Sequence, residues 1–111
     1  MQRDDAIRLS HMLDAAREAG SFVQNKTRGS LDADRQLQFA LVKSIEIVGE
    51  AAAKVANECR DDLPGIPWSN IVGMRNRLIH AYFDINLDIL WKTVTEDLPA
   101  LIAELEKVVK T

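Results

Sequence analysis

Cysteine and histidine are the scarcest chemistry-bearing residues of this 111-residue chain, with one cysteine and two histidines. Cys59 stands alone, so no intrachain disulfide can form and a secreted disulfide scaffold is excluded. No C-x-x-C pair and no H-E-x-x-H sequence exists, which removes the protein-built zinc sites of those patterns. Neither a G-x-G-x-x-G nor a G-x-x-x-x-G-K-[ST] run is present, so no dinucleotide or P-loop phosphate cradle is visible, and no cofactor is called for. No apolar run is long enough to span a membrane. The start, MQRDDAIRLS, lacks the apolar stretch of a signal peptide, which makes the cytoplasm the expected location. Basic charge is not in excess either: 14 Lys and Arg stand against 17 Asp and Glu, for a net charge of −3. That excludes coating of nucleic acid through bulk positive charge and leaves open a local basic site. Aromatic residues number six, so the core must be mostly aliphatic.

What is present is an ordinary globular composition, 47 % hydrophobic and 28 % charged, of a length that suits one domain over residues 1–111. Apolar residues recur at helical spacing almost throughout. Ile7, Leu9, Met12, Leu13, Ala16 and Ala19 predict a first helix from Arg3 to about Val23, and the polar residues 24–30 read as a loop. Asp32 is placed to cap a second helix whose stripe Leu37, Leu41, Ile45, Val48, Ala52 and Val55 runs to about Cys59. Phe39, Val42 and Ile47 lie off that stripe, so this helix is expected to bury more than one face. Pro64 and Pro67 enforce a break. A third helix, with Ser69 as its cap, is expected to reach Tyr82 or Phe83, followed by a turn at residues 84–86. The last helix begins near Leu87, and Pro99 should kink or split it after Asp97 or Leu98. The expectation is an all-α fold, an antiparallel up-and-down bundle of four to five helices.

The informative segment is Met74-Arg75-Asn76-Arg77-Leu78-Ile79-His80-Ala81-Tyr82. It gathers two guanidinium groups, an amide, an imidazole and a phenol within one helical stretch. At 100° per residue, Arg75 and His80 stand about 140° apart, so a site using both is easier to build against a second surface. Such a set suits RNA cleavage, because the ribose 2′-OH is a nucleophile already beside the phosphate. A histidine can move the proton, and an arginine can bind phosphate oxygens and stabilise their growing charge. Arg75 also has a competing structural role as a salt-bridge partner within the bundle, for instance with Glu50. That glutamate sits among Val48, Gly49, Ala51, Ala52 and Ala53, and so is expected to be partly buried and paired with the motif helix. Trp68 and Trp91 read as packing residues and His11 as an exposed one.

Arg75, His80 and Tyr82 form an R-x4-H-x-Y pattern that resembles the motif of HEPN-domain ribonucleases, and more narrowly the HepT-type toxins of toxin–antitoxin pairs. The setting is similar as well. It comprises Val48-Gly49-Glu50-Ala51-Ala52, Ile66-Pro67-Trp68, Arg75-Asn76, His80-Ala81-Tyr82-Phe83, Ile89-Leu90-Trp91 and Asp97-Leu98-Pro99 with Leu101. The resemblance implies a HEPN-like bundle that forms a homodimer, bringing two motifs to one cleft. It implies a metal-independent endoribonuclease of a type VII toxin–antitoxin system. His80 would be the acid/base and Arg75 the phosphate ligand, with Asn76, Arg77 and Glu50 supporting RNA binding. It implies as partner an MntA-type nucleotidyltransferase antitoxin that AMPylates Tyr82. Two alternatives stay open at this point: a subunit that binds nucleotide or RNA ends without cutting, and one that docks the nucleotidyltransferase.

Overall fold

The computed structural model describes residues 1–81 and 84–109, and the backbone alone for residues 79–81. The fold is an all-α bundle carried by α1 (Arg3–Phe22), α3 (Arg35–Ala53), α5 (Trp68–Leu78) and the continuous run of α6 (Leu87–Lys92), a π-helical turn (Thr93–Asp97) and α7 (Leu98–Glu106). Two short helices, α2 (Arg28–Asp32) and α4 (Asn57–Asp62), fill the connections. α1 packs along α3, α3 along α5, and α7 returns against α1. The core between them is aliphatic, as the scarcity of aromatics requires: Leu9, Leu13, Leu41, Ile45, Val48, Leu78, Leu90, Leu98 and Leu105 are all fully buried. Among the described residues, no helix is long and apolar enough to cross a membrane.

Several boundaries differ from the sequence expectation, each for a local reason. Residues 24–30 are not all loop. The Thr27 hydroxyl accepts the Ser30 N–H and the Ser30 hydroxyl accepts the Thr27 N–H, a reciprocal cap that starts α2 at Arg28. Asp32 caps nothing, because its carboxylate pairs with Arg28 at 2.9 Å; Asp34 takes the role, accepting the Leu37 N–H at 3.0 Å. The second long helix stops at Ala53 rather than near Cys59. Asp5, buried on α1, accepts the N–H of Ala56, which holds that residue extended and restarts the chain as α4. Of the off-stripe residues of α3, Val42 is buried, Ile47 is half-buried and Phe39 stays exposed under the Arg35 guanidinium, 4.6 Å from its ring centre.

α5 begins at Trp68, so Ser69 lies inside its first turn instead of capping it, and the Pro67 carbonyl accepts the Ile71 N–H. The expected run of this helix to Tyr82 or Phe83 is not found. α5 ends at Leu78 and passes directly into β1 (Ile79–Ala81), which pairs antiparallel with β2 (Asp84–Ile85) through Ile79 opposite Ile85. The β-branched Ile79 and Ile85 suit that pairing, and the Leu78 carbonyl accepts the Asn86 N–H at 2.8 Å. Asn86 is no simple turn residue: its side chain accepts the Ile89 N–H at 3.0 Å and caps α6. Ahead of Pro99 the last helix is interrupted in its hydrogen bonding but stays continuous. The interruption is a π turn in which the Leu98 N–H reaches the Thr93 carbonyl, so the helix loosens ahead of a residue that cannot donate.

Candidate functional site

α5 is held by its buried side, Ile71, Met74 and Leu78, against the core. It lies close to α3 because Gly49 has no side chain there. A Cβ at Gly49 would stand 3.5 Å from the Ile71 carbonyl oxygen and 3.7 Å from that of Val72. Anything longer than a methyl would push the two helices apart. This close approach is what Gly49, next to Glu50, accomplishes.

On α5, Arg75 turns toward α3, where its Nε stands 3.5 Å from Oε1 of Glu46. The side chains are 35 % and 18 % exposed, so the pair is sheltered but not sealed. The carboxylate that meets the motif arginine is therefore Glu46. Glu50, one turn further on, is exposed and not partly buried, and among the described residues it forms no ion pair with Arg75. The reason is geometric: four residues advance an α-helix by roughly 6 Å, which carries Glu50 past the arginine's reach. Sequence reasoning missed Glu46, although its spacing of 29 residues to Arg75 carries no signal.

Asn76 and Arg77 are exposed. Arg77 lies about 200° around the helix from Arg75 and so faces away from Glu46. It lines instead a groove of about 580 Å³ between α5 and the α6–α7 run, together with Asn70, Met74, Lys92, Asp97 and Glu104. Thus the structure does not bring the two arginines of the motif together within one chain. His80 lies on β1, off the helix, so the angular separation worked out for a continuous helix does not apply to it. Of His80 only the backbone is described, and Tyr82 lies outside the described residues.

Around this face the Ile66-Pro67-Trp68 segment is architectural. Trp68 is half-buried, donates from Nε1 to the Leu63 carbonyl at 3.2 Å, and lies under the Arg60 guanidinium at 5.5 Å. Arg60 in turn donates to the Ala52 carbonyl at 2.8 Å, tying α4 to the end of α3. Trp91 is likewise half-buried against the core, and both tryptophans are packing residues, as expected. Among the described residues no group of three or more His, Cys, Asp and Glu side chains is placed to hold a metal ion.

Comparison with known proteins adds a family. A model described as "Ribonuclease HepT-like" matches residues 12–108. A Methanocaldococcus jannaschii protein named as a candidate RNase is 35 % identical over 105 residues, covering 95 % of this chain and 96 % of the relative. A Thermococcus cleftensis protein named as a candidate ribonuclease HepT is 44 % identical over 77 residues, 69 % of this chain and 70 % of the relative. A second M. jannaschii protein, named for a gamma-glutamylcyclotransferase and a candidate RNase, is 33 % identical over 110 residues, 99 % of this chain but 50 % of its own length. No solved structure gives a significant match.

Proposed function

The chain belongs to the ribonuclease HepT-like family, and from that premise we propose that it cuts RNA with Arg75 and His80 as its reacting-centre residues. The observation that carries this assignment is the placement of Arg75. It is sheltered and met by Glu46 on the α3–α5 face, five residues ahead of His80 on the strand that follows.

The chemistry uses the substrate's own nucleophile. The ribose 2′-oxygen attacks the neighbouring phosphorus while His80 takes the 2′-OH proton. The P–O5′ bond breaks, and a proton returns from imidazolium to O5′, leaving a 2′,3′-cyclic phosphate and a 5′-hydroxyl. Arg75 binds the non-bridging oxygens and stabilises the charge they gain at the five-coordinate stage. Glu46 acts through Arg75 as a positioning residue. Asn76, exposed near the end of α5, is available to the substrate phosphates, and Glu50 to partner-facing polar contacts. A second copy of the chain supplies the facing wall in this reading. Neutralisation as a toxin follows from AMPylation of Tyr82 by an MntA-type nucleotidyltransferase antitoxin, which adds bulk and negative charge two residues from His80.

The test is cleavage of a labelled oligoribonucleotide by the full chain, with end-group analysis of the products. Wild type is expected to leave 2′,3′-cyclic phosphate ends. Arg75→Ala and His80→Ala are expected to be silent, and an all-deoxy oligonucleotide should remain intact. Equal activity of wild type and His80→Ala, or cleavage of the deoxy substrate, refutes the mechanism. Co-expression with the nucleotidyltransferase and mass analysis of the Tyr82 peptide tests the neutralisation separately.

A further inference from the structure

The groove on the opposite side of α5 from Glu46 is lined by cations, carboxylates and apolar side chains. Arg77 folds back along its own helix, with Nη1 3.8 Å from where a Cβ on Gly73 would sit, and lines the groove together with Lys92. Among the described residues neither Arg77 nor Lys92 takes part in an ion pair. The floor is apolar, built from the buried Ile71, Met74 and Leu101. Along the α6–α7 run Asp97 follows Lys92 by roughly 8 Å and precedes Leu101, with Glu104 at the far end and the Asn70 amide on the facing wall. From Lys92 to Glu104 the run extends roughly 18 Å at 1.5 Å per residue. Glu104 closes the far end against Gly65, where an added Cβ would meet its carboxylate oxygen at 3.0 Å.

Two cations without an ion pair among the described residues, an apolar floor with a thioether, and carboxylate acceptors along one wall supply a partner for each part of one nucleotide. We propose that this groove binds a nucleotide unit, with its phosphate at Arg77 and Lys92 and its base on the Met74–Leu101 floor. The amino edge of the base or the ribose hydroxyls then face Asp97, Asn70 and Glu104. A guanidinium and an ammonium bind phosphate through charge-assisted hydrogen bonds. The polarisable sulfur of Met74 suits a ring face. The volume falls in the range of small-ligand sites. Carboxylates accept hydrogen bonds and cannot donate, so bases carrying an exocyclic amine are favoured over uracil. For its physiological ligand, a nucleotide of the RNA substrate held away from the cut, the assignment rests on the ribonuclease reading. An acidic protein gains in this way a second, local anchor for RNA without a basic surface.

The experiment titrates the full-length protein with CMP, UMP and inorganic phosphate, following backbone amide shifts. CMP is expected to saturate shifts at Arg77, Lys92 and Asp97 and to bind more tightly than UMP. Arg77→Ala and Lys92→Ala should each weaken CMP about tenfold, the loss of one charged hydrogen-bonding partner. Asp97→Asn with Glu104→Gln should erase the preference for CMP while leaving UMP bound at least as well, which a merely structural role would not do. Absence of saturable shifts with either nucleotide, shifts confined to another face, or a CMP preference that survives the double change each overturns the assignment. The source of the nucleotide is read from RNA cleavage in parallel. An elevated KM in Arg77→Ala marks a nucleotide within the RNA chain and an unmoved KM a free nucleotide, and either upholds the nucleotide assignment. Wild type that binds CMP in the groove yet leaves RNA uncut sinks the ribonuclease reading alone. Wild type that cuts RNA yet fails to bind CMP sinks the groove alone.

Discussion

Removing the Glu46 carboxylate probes how the motif arginine is held. With Nε and Oε1 3.5 Å apart, the direct Coulomb attraction lies between about 1 and about 5 kcal/mol, for effective dielectric constants of about 80 and about 20. Fixing two long side chains and stripping part of their water offsets most of this. The separation also exceeds that of a short charge-assisted bond, which points to the lower part of the range. A double-mutant cycle of Glu46→Gln and Arg75→Gln, followed by urea unfolding, is therefore expected to give a coupling energy of about 1 kcal/mol. The other interactions of Arg75 cancel in the cycle, so the coupling belongs to this pair. It should shrink on raising salt, because more than a third of the Arg75 side chain is in solvent. In the cleavage assay Glu46→Gln should lower kcat more than it raises KM, since the arginine is still present but less well aimed. A coupling energy indistinguishable from zero, with cleavage unchanged, would refute the positioning role.

Further outcomes follow from the packing. Gly49→Ala should be tolerated, because a Cβ fits at 3.5 Å, whereas Gly49→Leu should cost about 1–3 kcal/mol in urea unfolding and reduce cleavage by moving α5 away from Glu46. Thr27→Ala removes the reciprocal cap of α2 and should cost about 1 kcal/mol by the same measurement; an unchanged midpoint would show that α2 is held by Leu31 burial alone. Asp5→Ala leaves the Ala56 N–H without its acceptor, with an expected loss of about 1–3 kcal/mol and faster amide exchange at Ala56. Burial, helped by the Asp5 and Asp62 carboxylates, pushes the Cys59 thiol above its ordinary range. The unfolded chain then loses the thiol proton first, so the stability this contributes is complete at neutral pH. It falls as pH rises through the ordinary thiol range toward the raised folded value. The stability difference between wild type and Cys59→Ala should therefore narrow on alkalinisation, and a difference that stays constant would contradict the shift.

The helical stripes were legible because a 3.6-residue period survives wherever one face meets a core. Leu37, Leu41, Ile45 and Val48 are buried as their spacing requires, and Pro99 announces the interruption ahead of it. The ends were less legible. Asp32 and Asp34 are equally good caps by type, and the choice falls to Arg28, which occupies the first. The restart at Asn57 depends on Asp5, 51 residues away, and no local pattern reports such a partner. The same limitation explains Glu46 and Glu50. Both lie on α3 within one turn of each other, and only the crossing of α3 by α5 at Gly49 selects the first.

Periodicity was enough to determine an all-α bundle, and the R-x4-H-x-Y run in its setting carried the resemblance to a ribonuclease family, because both rest on residues close together in the chain or repeated along it. The tertiary structure decided what the motif residues face. It ended α5 at Leu78 and put His80 on a strand, paired Arg75 with Glu46, and sent Arg77 to a groove shared with Lys92 and Asp97. A side chain's direction is set by its position around the helix, which sequence supplies. What stands opposite is set by how helices far apart in the chain come to pack, and that is fixed only by the shape of the whole core.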